Sequence, residues 1–178
     1  MASLPTIGGS DGTWGTTLNG FLEEEHASDG SHDIKWHGAK MYKSAAQTLS
    51  TTNETLVVMD ADESDYYDMT DTTAGKIAPT KEGMYIVSGQ VTFTDVPTGS
   101  QLRVDIKVSD TIVSTTLATV HVTSAALDTF SFPFCCATVS NGTDYFQVFA
   151  TTTIANAKIQ TGADYTYFQV YRIGVIPS

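Results

Sequence analysis

The chain of 178 residues is short of charge, nearly without cysteine, and has no long apolar run. Charged residues make up 16% of it, and the shortage is one-sided: nine Lys and Arg stand against 20 Asp and Glu, for a formal net charge of −11. Such an acidic surface repels phosphate backbones, so nucleic acid is not expected as a partner. No stretch approaches the apolar length that a bilayer-crossing helix needs, so membrane insertion is not expected either. The opening residues Met1-Ala2-Ser3-Leu4-Pro5 lack a basic segment followed by an apolar one, and no secretory leader is expected. Asn53-Glu54-Thr55 and Asn141-Gly142-Thr143 then read as chance matches to the glycosylation pattern. The only cysteines, Cys135 and Cys136, are neighbours; a bridge between them would be strained. They read as free thiols, in keeping with synthesis in a reducing cytoplasm. Internal repeats and coiled-coil heptads are also missing.

What is present changes character along the chain. Residues 1–45 hold Trp14, Trp36, three of the four histidines and many glycines. Asp11-Gly12, Asp29-Gly30 and Gly38 mark turns there. One short helix is expected over 16–25, with Leu18, Phe21 and Leu22 on one face; it is too short to hold alone. This segment reads as an extended arm that orders on a larger partner, with Trp14, Leu18, Phe21, Leu22 and Trp36 as its anchoring residues. Residues 46–178 read as one all-β domain. Strands are expected at 54–59, 84–93, 102–108 and 117–123, along the Phe130, Phe132, Phe134 face, and at 154–159 and 165–173, with an acidic loop over 60–71. Tyr85, Val87, Val91 and Phe93 face one way, as do Leu102, Val104, Ile106 and Val108, with Arg103, Asp105 and Lys107 opposite. Asn141-Gly142 signals a hairpin. Many short strands with no helical stretch among them predict a β-sandwich.

The last aromatic strands carry apolar side chains on both faces. Phe146 and Val148 oppose Tyr145 and Phe149; Phe168 and Val170 oppose Tyr165, Tyr167 and Tyr171. A sandwich core uses one face of each strand. The other face, with Tyr145, Phe149, Tyr165, Tyr167 and Tyr171, is expected to be covered by another copy of the chain. Exposed aromatic rings could also stack on sugars, but most of Tyr66, Tyr67, Tyr85, Tyr145, Tyr165, Tyr167 and Tyr171 are expected to be core or subunit contacts.

Chemistry-bearing clusters are sparse. His26, His32 and His37 with Asp29 or Asp33 are ligand types without a zinc spacing, so they read as structural or docking residues and no metal site is assigned. Asp60, Asp62, Glu63, Asp65, Asp68 and Asp71 could supply oxygens to calcium, but without the glycine and spacing of a helix-loop-helix site. They read as a solvated loop; no cofactor is expected, and calcium is the one alternative. His121 is the sole histidine within 46–178 and suggests no catalytic triad. The expectation is a protein that is not an enzyme.

Two resemblances complete the reading. Tyr67-Asp68, Gly75-Lys76-Ile77-Ala78-Pro79 and Gly83-Met84-Tyr85-Ile86-Val87, then Asn141-Gly142-Thr143-Asp144-Tyr145-Phe146 and the closing Tyr167-Phe168-Gln169-Val170-Tyr171, resemble the C1q/TNF-type jelly roll. That resemblance implies a homotrimer. The arm, with Pro5-Thr6-Ile7-Gly8-Gly9-Ser10, Trp14-Gly15-Thr16-Thr17-Leu18-Asn19-Gly20-Phe21-Leu22 and His26-Ala27-Ser28-Asp29-Gly30-Ser31-His32, resembles the N-terminal segment of bacteriophage tail-fibre and other virion proteins. Together they imply a virion structural protein made in the host cytoplasm. Its arm would bind other virion proteins, and its trimeric head would face outward, attaching to a host-surface glycan. The alternative is a capsid or tail decoration (cement) protein with a purely structural role.

Overall fold

The computed structural model describes residues 37–49, 53–96, 99–119, 129–153 and 156–174. The chain divides after Trp36 into two compact units, and all described residues belong to the second, His37–Ser178. The helix expected over 16–25 and the anchoring residues Trp14, Leu18, Phe21, Leu22 and Trp36 lie outside the described residues.

Among the described residues there are thirteen strands and no helix: β1 Gly38–Tyr42, β2 Gln47–Thr48, β3 Thr55–Leu56, β4 Ala61–Asp65, β5 Thr70–Asp71, β6 Lys76–Ile77, β7 Glu82–Thr94, β8 Gln101–Val108, β9 Thr111–Thr119, β10 Phe130–Asn141, β11 Phe146–Thr152, β12 Lys158–Ile159 and β13 Tyr167–Gly174. They form two antiparallel sheets. The first runs β2-β12-β7-β13-β1-β4, with β10 also on β7; the second runs β5-β6-β11-β8-β9, with β3 also on β11. The all-β sandwich expected from the alternating pattern is therefore observed.

The core lies between the sheets and is built by that alternation. Tyr85, Val87, Val91 and Phe93 of β7 and Phe168 and Val170 of β13 line the first sheet's inner face. Leu102, Val104 and Ile106 of β8 and Phe146 and Val148 of β11 line the second's. Phe93 meets Phe132 edge-on, with ring centres 5.2 Å apart and planes at 86°, the arrangement that aromatic quadrupoles favour.

Four expectations are corrected. The first sheet includes Gly38–Tyr42, within the stretch read as arm: β1 pairs with β13 from Gly38↔Tyr171 to Tyr42↔Tyr167. Gly38 is therefore a strand residue rather than a turn marker. A Cβ there would lie 2.0 Å from Tyr171 Cδ1, so the glycine makes room for that ring. The acidic stretch 60–71 is not one loop. It contains β4, which pairs with β1, and β5, which pairs with β6, while its carboxylates accept from backbone donors at the corners between them. The strand expected at 117–123 starts earlier, at Thr111. Finally, Asn141-Gly142 makes a tight turn but not a hairpin, since β10 pairs with β7 and β11 with β8, in different sheets. Asn141 Oδ1 accepts from the backbone N–H of Thr143 and Asp144, and Gly142 adopts φ 83°. The local chemistry was that of a turn, and tertiary pairing decided where its arms went.

Truncating a core aromatic tests this arrangement. Phe168→Ala in β13 removes a fully buried ring and is expected to cost about 3–5 kcal/mol, read as a lower midpoint in chemical denaturation with unchanged β-sheet circular dichroism below the transition.

Candidate interaction surfaces

The residues expected to form one interface fall on opposite sides of the sandwich. Tyr167 and Tyr171 lie on the outer face of the first sheet, where Tyr167 stands opposite Gln90 and Tyr171 opposite Ile86. Tyr145 and Phe149, just before and within β11, belong to the second sheet's outer side, where Phe149 stands opposite Asp105. Tyr165 sits in the turn before β13, half exposed. Its carbonyl accepts from Thr92 Oγ1 at 2.6 Å and Gln90 Nε2 at 3.2 Å. One copy cannot present all five residues to one neighbouring surface.

Most of these rings are covered within the chain. Lys40 Nζ stands 4.7 Å from the centre of Tyr167 and pairs with Glu63 at 2.7 Å. Lys107 Nζ stands 4.2 Å from the centre of Phe149 and pairs with Glu54. Lys76 Nζ lies 5.5 Å from Tyr145, whose hydroxyl donates to Asp110 Oδ2 at 2.8 Å. That hydrogen bond, then burial and the Asp110 charge, raises the Tyr145 phenol pKa. A lysine lays its methylene stem on apolar surface and its ammonium on the ring face. Leftover aromatic surface is thus reduced without a second chain.

Among the described residues no lysine is placed over the aliphatic surface at one end of the first sheet. Val139 stands opposite Met84, Ala137 opposite Ile86, and Ile86 opposite Tyr171. Val139 is 53% exposed, Met84 41% and Ile173 53%. The sequence signal was there: Met84-Tyr85-Ile86-Val87 is apolar at four successive positions, so both faces of β7 carry apolar groups. The outward Asp105 also departs from expectation, being buried; Thr115 Oγ1 and Arg103 Nε, at 2.7 Å, bind its carboxylate.

The acidic residues of 60–71 are largely committed to the fold. Asp60 accepts from the N–H groups of Ser44 at 2.6 Å and Ala45 at 3.1 Å. Asp65 accepts from the N–H groups of Tyr67, Met69 and Thr70 and from Thr70 Oγ1. Asp71 accepts from Ala74 N–H and pairs with Lys76 at 3.5 Å. Burial alone would raise the Asp60 and Asp65 pKa values, but these hydrogen bonds outweigh it and hold both below the ordinary carboxylate range. Asp62 and Asp68 are exposed. Among the described residues no group of three or more His, Cys, Asp or Glu is placed to hold a metal ion. His26, His32, Asp29, Asp33 and His121 lie outside the described residues, and His37 is buried in the sandwich. Cys135 and Cys136 are free, as expected from their adjacency.

Comparison with solved structures identifies the fold. It is a TNF-like jelly roll. The structure of Eiger TNF from S. frugiperda superposes with a TM-score of 0.59 at 11% identity, covering 80% of this chain and 96% of that one. Murine APRIL at pH 8.5 superposes with a TM-score of 0.58 at 14% identity, covering 76% and 98%. Murine APRIL at pH 5.0 gives 0.58 at 13% identity, covering 78% and 100%. No protein-family model and no curated protein matches the sequence.

The commitment of Asp65 has a measurable consequence. Asp65→Ala leaves the N–H groups of Met69 and Thr70 without their acceptor and is expected to cost about 1–3 kcal/mol at neutral pH. With its folded pKa lowered, Asp65 contributes stability above the unfolded value of about 3.9, and that contribution is lost as pH falls through the lower folded value. Thermal melting should therefore show the gap between wild type and Asp65→Ala narrowing from about pH 7 to about pH 3. Millimolar calcium should leave the wild-type melting temperature unchanged, since Asp60, Asp65 and Asp71 are already engaged.

Proposed function

We propose that this chain is a self-assembling virion structural protein of a bacteriophage, whose jelly-roll head forms a homotrimer through the outer face of the first sheet. The observation that carries the assembly reading is the uncovered aliphatic surface of Val139, Met84 and Ile173, continuous with Ile86 and Tyr171. Exposed apolar groups gathered on one sheet face favour burial against protein. The second sheet's outer face is the weaker candidate, because Lys76, Lys107 and Asp110 already engage Tyr145 and Phe149. The trimeric number follows from the C1q/TNF-type sequence resemblance.

The virion assignment rests on the resemblance of residues 1–45 to the attachment segment of tail-fibre proteins, with Trp14, Leu18, Phe21, Leu22 and Trp36 as the groups that bind other virion proteins. The activity is binding rather than catalysis. Several heads on one particle would contact a host-surface glycan at once, and avidity would multiply weak individual contacts. Decoration of the capsid or tail is the second reading, favoured by the small share of charged residues and the apolar sheet face. Particles lacking the protein separate the two: loss of adsorption supports attachment, and loss of heat resistance with normal adsorption supports decoration.

The assembly reading is tested by mass in solution. Light scattering of the full chain at micromolar concentration should give three times the chain mass, and Met84→Lys with Val139→Lys should give the monomer with unchanged circular dichroism. A wild-type monomer at that concentration would remove the proposal.

A further inference from the structure

His37 opens the described sandwich, one residue before β1, and its side chain is only 9% exposed. Its ring lies 4.4 Å from that of Tyr67 and 6.2 Å from that of Tyr85. Neither Nδ1 nor Nε2 has a hydrogen-bond partner. A buried polar group without partners is costly, and the cost rises sharply if it becomes charged. Among the described residues no carboxylate pairs with the ring, and the faces of Tyr67 and Tyr85 are the groups left to meet a cation. Lys81, just before β7, and Arg172 of β13 both add positive potential at the imidazole. The Tyr85 hydroxyl donates to Lys81 O at 2.7 Å, and burial pushes its phenol up to about 12, so it supplies no anionic oxygen. The nearest acid on β4, Asp65, is turned toward the N–H groups of its own loop. Glu82 of β7 is exposed and meets Arg172 Nε through its backbone carbonyl, at 3.0 Å.

We infer that His37 is an acid-sensitive latch: its neutral ring, wedged between Tyr67 and Tyr85 beside Lys81 and Arg172, holds the start of β1 in the first sheet and releases it when protonated. The mechanical link is short. His37 O accepts from Arg172 N at 2.9 Å, and the next residue, Gly38, pairs with Tyr171. An imidazolium leaving its slot takes both connections with it, and Tyr171 loses its seat over Gly38 on the outer face. Burial, then Lys81 and Arg172, lowers the folded-state pKa below 6.5. The latch is therefore closed above that value, and opening gains from proton uptake as pH falls below it, by up to about tenfold per pH unit. This inference does not depend on the assembly reading.

Two measurements on the full chain test it. Exchange of imidazole C2 hydrogens, followed by peptide mass spectrometry across pH, should place the His37 midpoint below 6.5 in the wild type. Amide exchange, corrected for its intrinsic pH dependence, should show the peptides around Gly38 and Arg172 losing several-fold protection between about pH 7.5 and about pH 5. His37→Phe keeps the ring packing without the titration and should abolish that loss; His37→Gln serves if the phenylalanine variant does not fold. A His37 midpoint at or above 6.5, or the same acid loss of protection in the variant, would overturn the latch.

Discussion

Strand β7 is the constraint on which the rest depends. It is the longest strand among the described residues, and it bonds β10 along one edge and β13 and β12 along the other. Its inner side chains Tyr85, Val87, Val91 and Phe93 are fully buried and meet the second sheet. Because successive side chains point to opposite sides, a strand that is apolar at four positions in a row must carry apolar groups to the outside as well. The core and the outer surface of the first sheet are thus two consequences of one stretch of sequence.

The two kinds of outward apolar residue are treated differently. Rings attract cations and long methylene stems, and the chain uses three of its few lysines, Lys40, Lys76 and Lys107, in this way. An aliphatic side chain has no quadrupole, so Val139, Met84 and Ile173 gain nothing comparable from an ammonium group. Covering them requires other apolar surface. The three lysine-covered rings are thus accounted for within the chain, whereas Val139, Met84 and Ile173 stay exposed.

Acidic residues show a related economy. With no helices to cap among the described residues, Asp60, Asp65 and Asp71 instead accept from backbone N–H groups at loop corners. Asp144 and Asn141 do the same at the crossover between sheets. A jelly roll moves its chain from sheet to sheet many times, and each crossing leaves donors outside the ladders. Part of the acidic run that reads as a solvated loop in the sequence is the cost of that topology.

The inner faces of β7, β8 and β13 were legible in the sequence because period-two alternation maps directly onto burial. The free state of Cys135 and Cys136 was legible from bond geometry. The short strands β4 and β5 were not, because acidic residues carry no strand signal; partners on β1 and β6 created them. Nor could sequence show that Asn141-Gly142 joins different sheets, or that Tyr145 and Tyr171 face opposite ways, since both depend on which distant strands pair. The buried slot of His37 is of the same kind: it is assembled from β7, β13 and the loop after β4. Local alternation determined what is inside; long-range pairing decided which of the remaining groups stand together, because proximity across a sheet is set by register between segments far apart in the chain.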